Sequence, residues 1–236
     1  MRSLIKAFTP QPFRQVLRYI RQRWFTNYAQ DSFAQEGEDL VLERFLEGRE
    51  KGFYVDIGAH HPMRFSNTYR LYRRGWRGLN VDASPGSMSL FRRLRPRDIN
   101  VEAGISAESA ELKFYVFNDP ALNTFDKQLA DERVGAVYSI VDEVNLPVRP
   151  LWELLDQYVP QETSIDLLTV DVEGLDYEIL RSNDWNRYVP QFVLVECLGS
   201  LTLDQAVQDP IGKLLSDNHY SIVAKTMNTA LYKRIL

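Results

Sequence analysis

Two short apolar runs, each closed by an acid, constrain this chain more than any other feature. Phe53-Tyr-Val-Asp-Ile57 runs into Gly58, and Leu79-Asn-Val81 runs into Asp82. Near-continuous apolar runs of this length suit parallel strands buried on both faces. Asp56 interrupts the first run and Asp82 ends the second, so two acids fall at the carboxyl ends of adjacent strands. In an open α/β sheet that edge is where ligands bind. Gly58 permits a tight turn and a close approach of backbone to a ligand. Asp82 stands where dinucleotide folds place the acid that bonds a ribose diol. Asp56 either orients the loop or accepts from a ligand amine. A nucleoside-bearing ligand is the expectation; the bland alternative is that both acids only cap loops.

The block Asp56-Ile-Gly-Ala-His60, with the strand ending at Asp82, resembles motif I and the following strand of class I S-adenosylmethionine (SAM) dependent methyltransferases. It is most similar to the FkbM family, whose pattern is Asp-Ile-Gly-Ala-Asn, any residue, then Gly. His60 stands at the Asn, Pro62 at the second Gly, and Asp82 where many members have Glu. Asp171-Val-Glu-Gly174 is similar to the family's Asp-Val-Glu-Gly-x-Glu, with Asp176 in place of the later Glu. Gln35-Glu-Gly-Glu-Asp39 resembles a further family block and implies that Gln35, Glu36 and Glu38 border the pocket. The resemblance runs from Phe33 to the C-terminus.

It implies SAM as cofactor, held by Asp56, Gly58, Ala59, Asn67, Asp82, Ala83, Ile105, Ser106 and Asp171. It also implies O-methylation of a sugar, glycan or related natural product. Such a transfer needs a held cofactor, an aligned nucleophile and a sink for the hydroxyl proton. The catalytic candidates are His60, His61, Asp171 and Glu173. Imidazole titrates near neutrality, so either histidine is a credible base, although a lone histidine is usually structural. Glu173 either binds substrate or favours a helix N-terminus. Asp171, Glu173 and Glu196 together are a carboxylate set that would suit Mg2+. Two rivals stand: a nicotinamide-dependent oxidoreductase, disfavoured because no Gly-x-Gly-x-x-Gly follows the first strand, and a non-catalytic cofactor-binding scaffold.

The order of patterns along the chain is β-α-β-α, which predicts a doubly wound, mostly parallel Rossmann-like sheet with an antiparallel C-terminal pair. The third strand is expected over Ile99–Ile105. A helix is expected to start at Ser84-Pro85, since serine caps and proline suits the first turn. Residues 118–150 carry little pattern, and Ala121-Leu-Asn-Thr-Phe125 within them is a candidate lid over the acceptor. Arg92, Arg93, Arg95 and Arg97 are read as cations at a helix C-terminus.

Residues 1–32 read as a basic amphipathic extension and 33–236 as the catalytic domain. Phe13, Val16, Leu17, Ile20 and Trp24 recur at helical spacing opposite arginines. Such a helix packs on the domain, on a second subunit, or on an anionic membrane surface through residues 1–30. The chain of 236 residues, 44% hydrophobic, is long enough for one full core. A net charge of −4 implies no general attraction to nucleic acid. The single Cys197, the lack of an apolar run of roughly 18 residues and the arginines in the N-terminal stretch point to the cytoplasm, with membrane association left open.

Overall fold

The computed structural model describes residues 15–20, 30–197 and 202–235. The chain divides between Ser32 and Phe33. Residues 15–20 are helical; the outermost residues of the expected basic helix, Phe13 and Trp24, lie outside the described residues. Among those residues no helix is long and apolar enough to cross a membrane.

The described residues of the unit Phe33–Leu236 contain ten strands: β1 (Phe53–Ile57), β2 (Arg77–Asp82), β3 (Ile99–Glu102), β4 (Gly104–Ile105), β5 (Ala110–Phe117), β6 (Ile140–Arg149), β7 (Leu167–Val170), β8 (Phe192–Glu196), β9 (Tyr220–Lys225) and β10 (Thr229–Arg234). Seven form one sheet in the order β3-β2-β1-β7-β8-β10-β9. All pairs from β3 to β8 are parallel, and β10 runs antiparallel between β8 and β9. The chain starts at the sheet centre, moves out to β3 and returns to β7. The order therefore reverses between β1 and β7, the switch point at which open α/β sheets bind ligands. This is the doubly wound sheet with an antiparallel C-terminal pair expected from the pattern.

Strand parity sorts the core. Val55, Ile57, Leu79, Val81, Leu168 and Val170 face one side, covered by α5 (Leu151–Tyr158), α6 (Asp176–Arg181) and α8 (Pro210–Asp217) through Leu154, Leu155, Ile179 and Leu215. Tyr54, Leu167, Phe192 and Leu194 face the other side, against Leu42 of α1 (Glu38–Phe45) and Leu71 of α2 (Tyr69–Arg73). Each such fully buried side chain contributes about 1.5–3 kcal/mol of transfer free energy. Asp56 shares parity with Tyr54 and is in register with Asn80 and Thr169.

Three local expectations are corrected. The third strand stops at Glu102: the Ala103 N–H donates to Asp82 O, and the chain then leaves for a separate sheet of order β4-β6-β5. The helix after β2, α3 (Met88–Leu94), starts later than Ser84-Pro85. Pro85-Gly86 is a turn dipeptide; Gly86 has φ 81° and the Ser87 N–H donates to Ser84 O. Residues 118–150 hold a 3₁₀ turn (Pro120–Leu122), α4 (Lys127–Arg133) and the ten-residue β6. Only Val144, Leu146 and Val148 of β6 turn inward in clean alternation, a short signal among acids and Pro147. The stretch from Leu203 to Asp217 is two helices, α7 (Leu203–Gln208) and α8, divided at Asp209-Pro210.

Candidate active site

The strand pairing ends at Ile57↔Val81, Ile57↔Val170 and Val170↔Val195. Continued by one residue, it places Asp82, Gly58, Asp171 and Glu196 in one row across four strands. Gly58 is indispensable there. Its φ is 80°, and a Cβ on it would stand 1.7 Å from Asp171 O. The Gly58 N–H donates to Val81 O and the Asp171 N–H to Ile57 O, which locks the three strand ends together.

A cleft of about 830 Å³, its open mouth included, lies over this row. Gly58, His60, Asp82, Ala83, Ile105, Asp171 and Glu173, all expected at the site, line it. At the β2 end, Asp82 accepts the His60 N–H through Oδ2 and the Ser84 N–H through Oδ1, both at 2.8 Å. Ala103, Ile105, Phe114 and Phe125 form an apolar wall beside it, the two rings 4.6 Å apart between centroids. Phe114 carries no sequence signal beyond its place in the alternating β5, whereas Phe125 ends the candidate lid.

The candidate lid lines the cleft through Ala121, Asn123 and Phe125. Asn123 Nδ2 donates to Ser84 Oγ, Thr124 Oγ1 donates to Glu173 O, and Tyr115 and Thr124 exchange backbone hydrogen bonds.

Several expected contacts lie elsewhere. Asp56 is absent from the lining; its Oδ2 accepts from Thr68 Oγ1 at 2.6 Å. It belongs to a buried network built on Arg95, whose guanidinium donates to Tyr54 Oη, Thr68 Oγ1, Ser66 Oγ, Pro62 O and Asp98 Oδ2. Burial, opposed by Arg95, pushes the Asp56 carboxyl up to about 6. Asp56 thus orients the loop. Arg95 itself is fully buried, unlike a solvated cation at a helix end. Ala59 packs on Met88 and Phe91, Asn67 Nδ2 donates to Thr169 Oγ1, and the Ser106 N–H donates to Arg149 O. Gln35 lines the cleft, whereas Glu36 and Glu38 accept from Asn228 and Thr229 and fasten the start of α1 to the β9–β10 turn.

The two histidines part company. His61 Nδ1 accepts the Met63 and Arg64 N–H groups at 3.0 and 2.9 Å, so it holds its own loop and does not line the cleft. His60 lines the cleft with φ 50°. It takes the left-handed turn that Asn favours at this place in the family pattern. Burial, opposed by Asp82, holds its imidazole below the usual range.

At the β7 end, carboxylates crowd. Ligand oxygens of Asp171, Glu173 and Glu196 lie within 4.8 Å of one another. Burial, then Glu173 and Asp176, raise Asp171 well above the carboxylate range. Burial, then Asp171, push Glu196 up to about 10. Glu173, at φ 56°, is paired with Arg133 of α4, which also donates to Leu122 O. Asp176 accepts the Val172 and Gly174 N–H groups, and burial raises it to about 7. Glu196 Oε2 has no hydrogen-bond partner among the described residues.

Comparison with solved structures finds an O-methyltransferase from Bacillus cereus in complex with SAH at 10% identity, covering 99% of this chain and 96% of that one, with a TM-score of 0.46. It also finds precorrin-6y C5,15-methyltransferase from Geobacter metallireducens at 15% identity, 87% and 92% coverage and a TM-score of 0.45. Fibrillarin from Aeropyrum pernix with bound S-adenosyl-L-methionine follows at 12% identity, 88% and 83% coverage and a TM-score of 0.44. A search of curated proteins gave no match. The family model for the methyltransferase FkbM domain matches residues 56–222, from the acid of β1 to the middle of β9. The chain belongs to the FkbM family of SAM-dependent methyltransferases.

Proposed function

We propose that the protein transfers a methyl group from SAM to a hydroxyl oxygen of a saccharide or related natural product. The observation that carries this reading is the row Asp82–Gly58–Asp171 beneath one cleft. It sets a diol acceptor, a close backbone approach and a cation-favouring carboxylate cluster in sequence. SAM, when bound, supplies a methyl group on a cationic sulfonium. Asp82 has lone pairs left for ribose hydroxyls after its two backbone bonds. Phe114, Phe125 and Ile105 give adenine an apolar wall. The acid-rich β7 end suits the cation.

SAM, held by Asp82, Gly58 and Asp171, would supply the methyl group to the acceptor oxygen and leave as S-adenosylhomocysteine, and His60 would take the hydroxyl proton. A neutral imidazole can take it, and burial keeps His60 neutral at physiological pH. Since that shift is downward, kcat/KM is expected to fall with acid only below the ordinary 6.5. His60→Ala lowers kcat by roughly 10²–10⁴ while SAM affinity holds. An unchanged rate would move the proton to Asp171 or leave alignment alone. Transfer of ¹³C-labelled methyl to a panel of saccharides, read by NMR, tests the acceptor atom: a methyl on nitrogen or carbon defeats O-methylation.

A second reading concerns charge balance. Asp171, Glu173 and Glu196 would hold a divalent cation, which would acidify the acceptor hydroxyl. The unpartnered Glu196 Oε2 favours it. Arg133 and a proton on Glu196 balance the same cluster without one. Activity that survives EDTA selects the proton; loss reversed by magnesium selects the cation.

A further inference from the structure

We propose that the Phe65 ring, at the mouth of the cleft beside His60, is the platform on which a pyranose ring of the acceptor stacks; this rests on the saccharide reading above. Six non-glycine residues among those described have positive φ, and three of them, His60, Phe65 and Glu173, line this one cleft. For a bulky residue such as Phe, at φ 57°, the left-handed region is a genuine outlier. Backbone of this kind persists where its surroundings over-determine it, and it gathers at ligand clamps.

The surroundings of Phe65 are over-determined. Next to it, the Ser66 N–H donates to Phe33 O, and Ser66 Oγ accepts from the Tyr69 N–H. Arg95 grips the same loop at Pro62 O and Ser66 Oγ. The ring, by contrast, is 39% exposed, so the core does not use it. Arg64 lies over it at 4.2 Å, and the His60 ring lies nearly parallel, 20° between planes and 6.4 Å between centroids.

The chain thus holds an exposed aromatic ring, with Arg64 over one face, at a strained backbone position next to the proposed proton acceptor, on the cleft that the acid Glu173 also lines. A pyranose matches that surface: its C–H face packs on the aromatic ring while its rim hydroxyls reach polar groups.

The test uses the full chain saturated with S-adenosylhomocysteine and a set of methyl pyranosides, including methyl β-D-glucopyranoside and methyl α-L-rhamnopyranoside. Saturation-transfer NMR reads glycoside C–H contact in the wild type, Phe65→Tyr and Phe65→Asn. Asparagine accepts the left-handed backbone without the ring. Expected are transfer in the wild type and Phe65→Tyr, and a fall of at least about tenfold in Phe65→Asn. Calorimetric affinity for S-adenosylhomocysteine is expected to stay level, and the Tm of Phe65→Asn to equal or exceed that of the wild type. Equal transfer in Phe65→Asn overturns the platform and leaves the saccharide reading standing. No transfer from any glycoside to the wild type overturns both. A lower Tm in Phe65→Asn makes the ring a packing element and overturns the platform.

Discussion

Asp82 and Asp171 stand in the same row of the sheet, with Gly58 between them, and their surroundings are opposite. Asp82 faces two backbone N–H groups, one from His60 and one from Ser84. Those dipoles are fixed by the fold and point at its two carboxylate oxygens. Asp171 faces Glu173, Asp176 and Glu196. Burial and like charge there favour a proton or an incoming cation. The same residue type, at the same distance from a strand end, is a permanent acceptor in one place and a charge-responsive group in the other. Position on the sheet edge brings both to the ligand; the neighbours contributed by other elements decide what each does with it.

The largest expected effect comes from breaking the hinge of this comparison. Gly58→Ala drives a Cβ into Asp171 O at a backbone angle that disfavours any side chain. A loss of about 3 kcal/mol or more, or no folded protein, is expected. Thermal unfolding should show a Tm lower by roughly 10 °C. A variant with wild-type Tm would mean that the two strand ends do not share this close approach.

The next effect separates the two acids. Asp82→Ala should weaken SAM binding by about 1–3 kcal/mol at all pH values near neutrality. Asp171→Asn should instead remove the pH dependence of binding. In the wild type a sulfonium next to the cluster favours the ionised acid, so binding releases a proton and affinity rises with pH. Calorimetry in buffers of different ionisation heat measures that release. Equal proton counts for the wild type and Asp171→Asn would erase the contrast.

The smallest effect is on stability. Glu196 has a folded pKa raised from 4.5 to about 10. A raised value means that its contribution is fully present below 4.5 and is lost as pH rises through about 10. The wild type should therefore lose stability across that window, with Glu196→Gln flatter and more stable near pH 8. Denaturant melts at several pH values read this; a Glu196→Gln variant with an unchanged slope would show that the glutamate is not burdened.

Legibility was uneven for physical reasons. The parallel strands β1, β2, β7 and β8 are apolar runs buried on both faces, and such runs need only local composition to be seen. Asp82, Gly58, Asp171 and Glu173 were legible because they end those strands. β6 was hidden: it is half-exposed, carries Asp142, Glu143 and Pro147, and gains its order from pairing with β5 thirty or so residues away. The burial of Arg95 is not legible, because an arginine near a helix end is usually solvated and nothing local announces Tyr54, Thr68 and Pro62 around it.

The sequence by itself determined the sheet, the edge that carries the site and the family to which the chain belongs, since periodicity and strand-end residues are properties of neighbours along the chain. The tertiary structure alone decided that Asp56 orients a loop, that His61 ties down its own turn while His60 faces the cleft, and that Phe65 is held out in a left-handed backbone. It also decided that Asp171 and Glu196, 25 positions apart in the chain, share one crowded charge. Burial and Coulomb interaction depend on distance through space, and only the packed chain sets that distance.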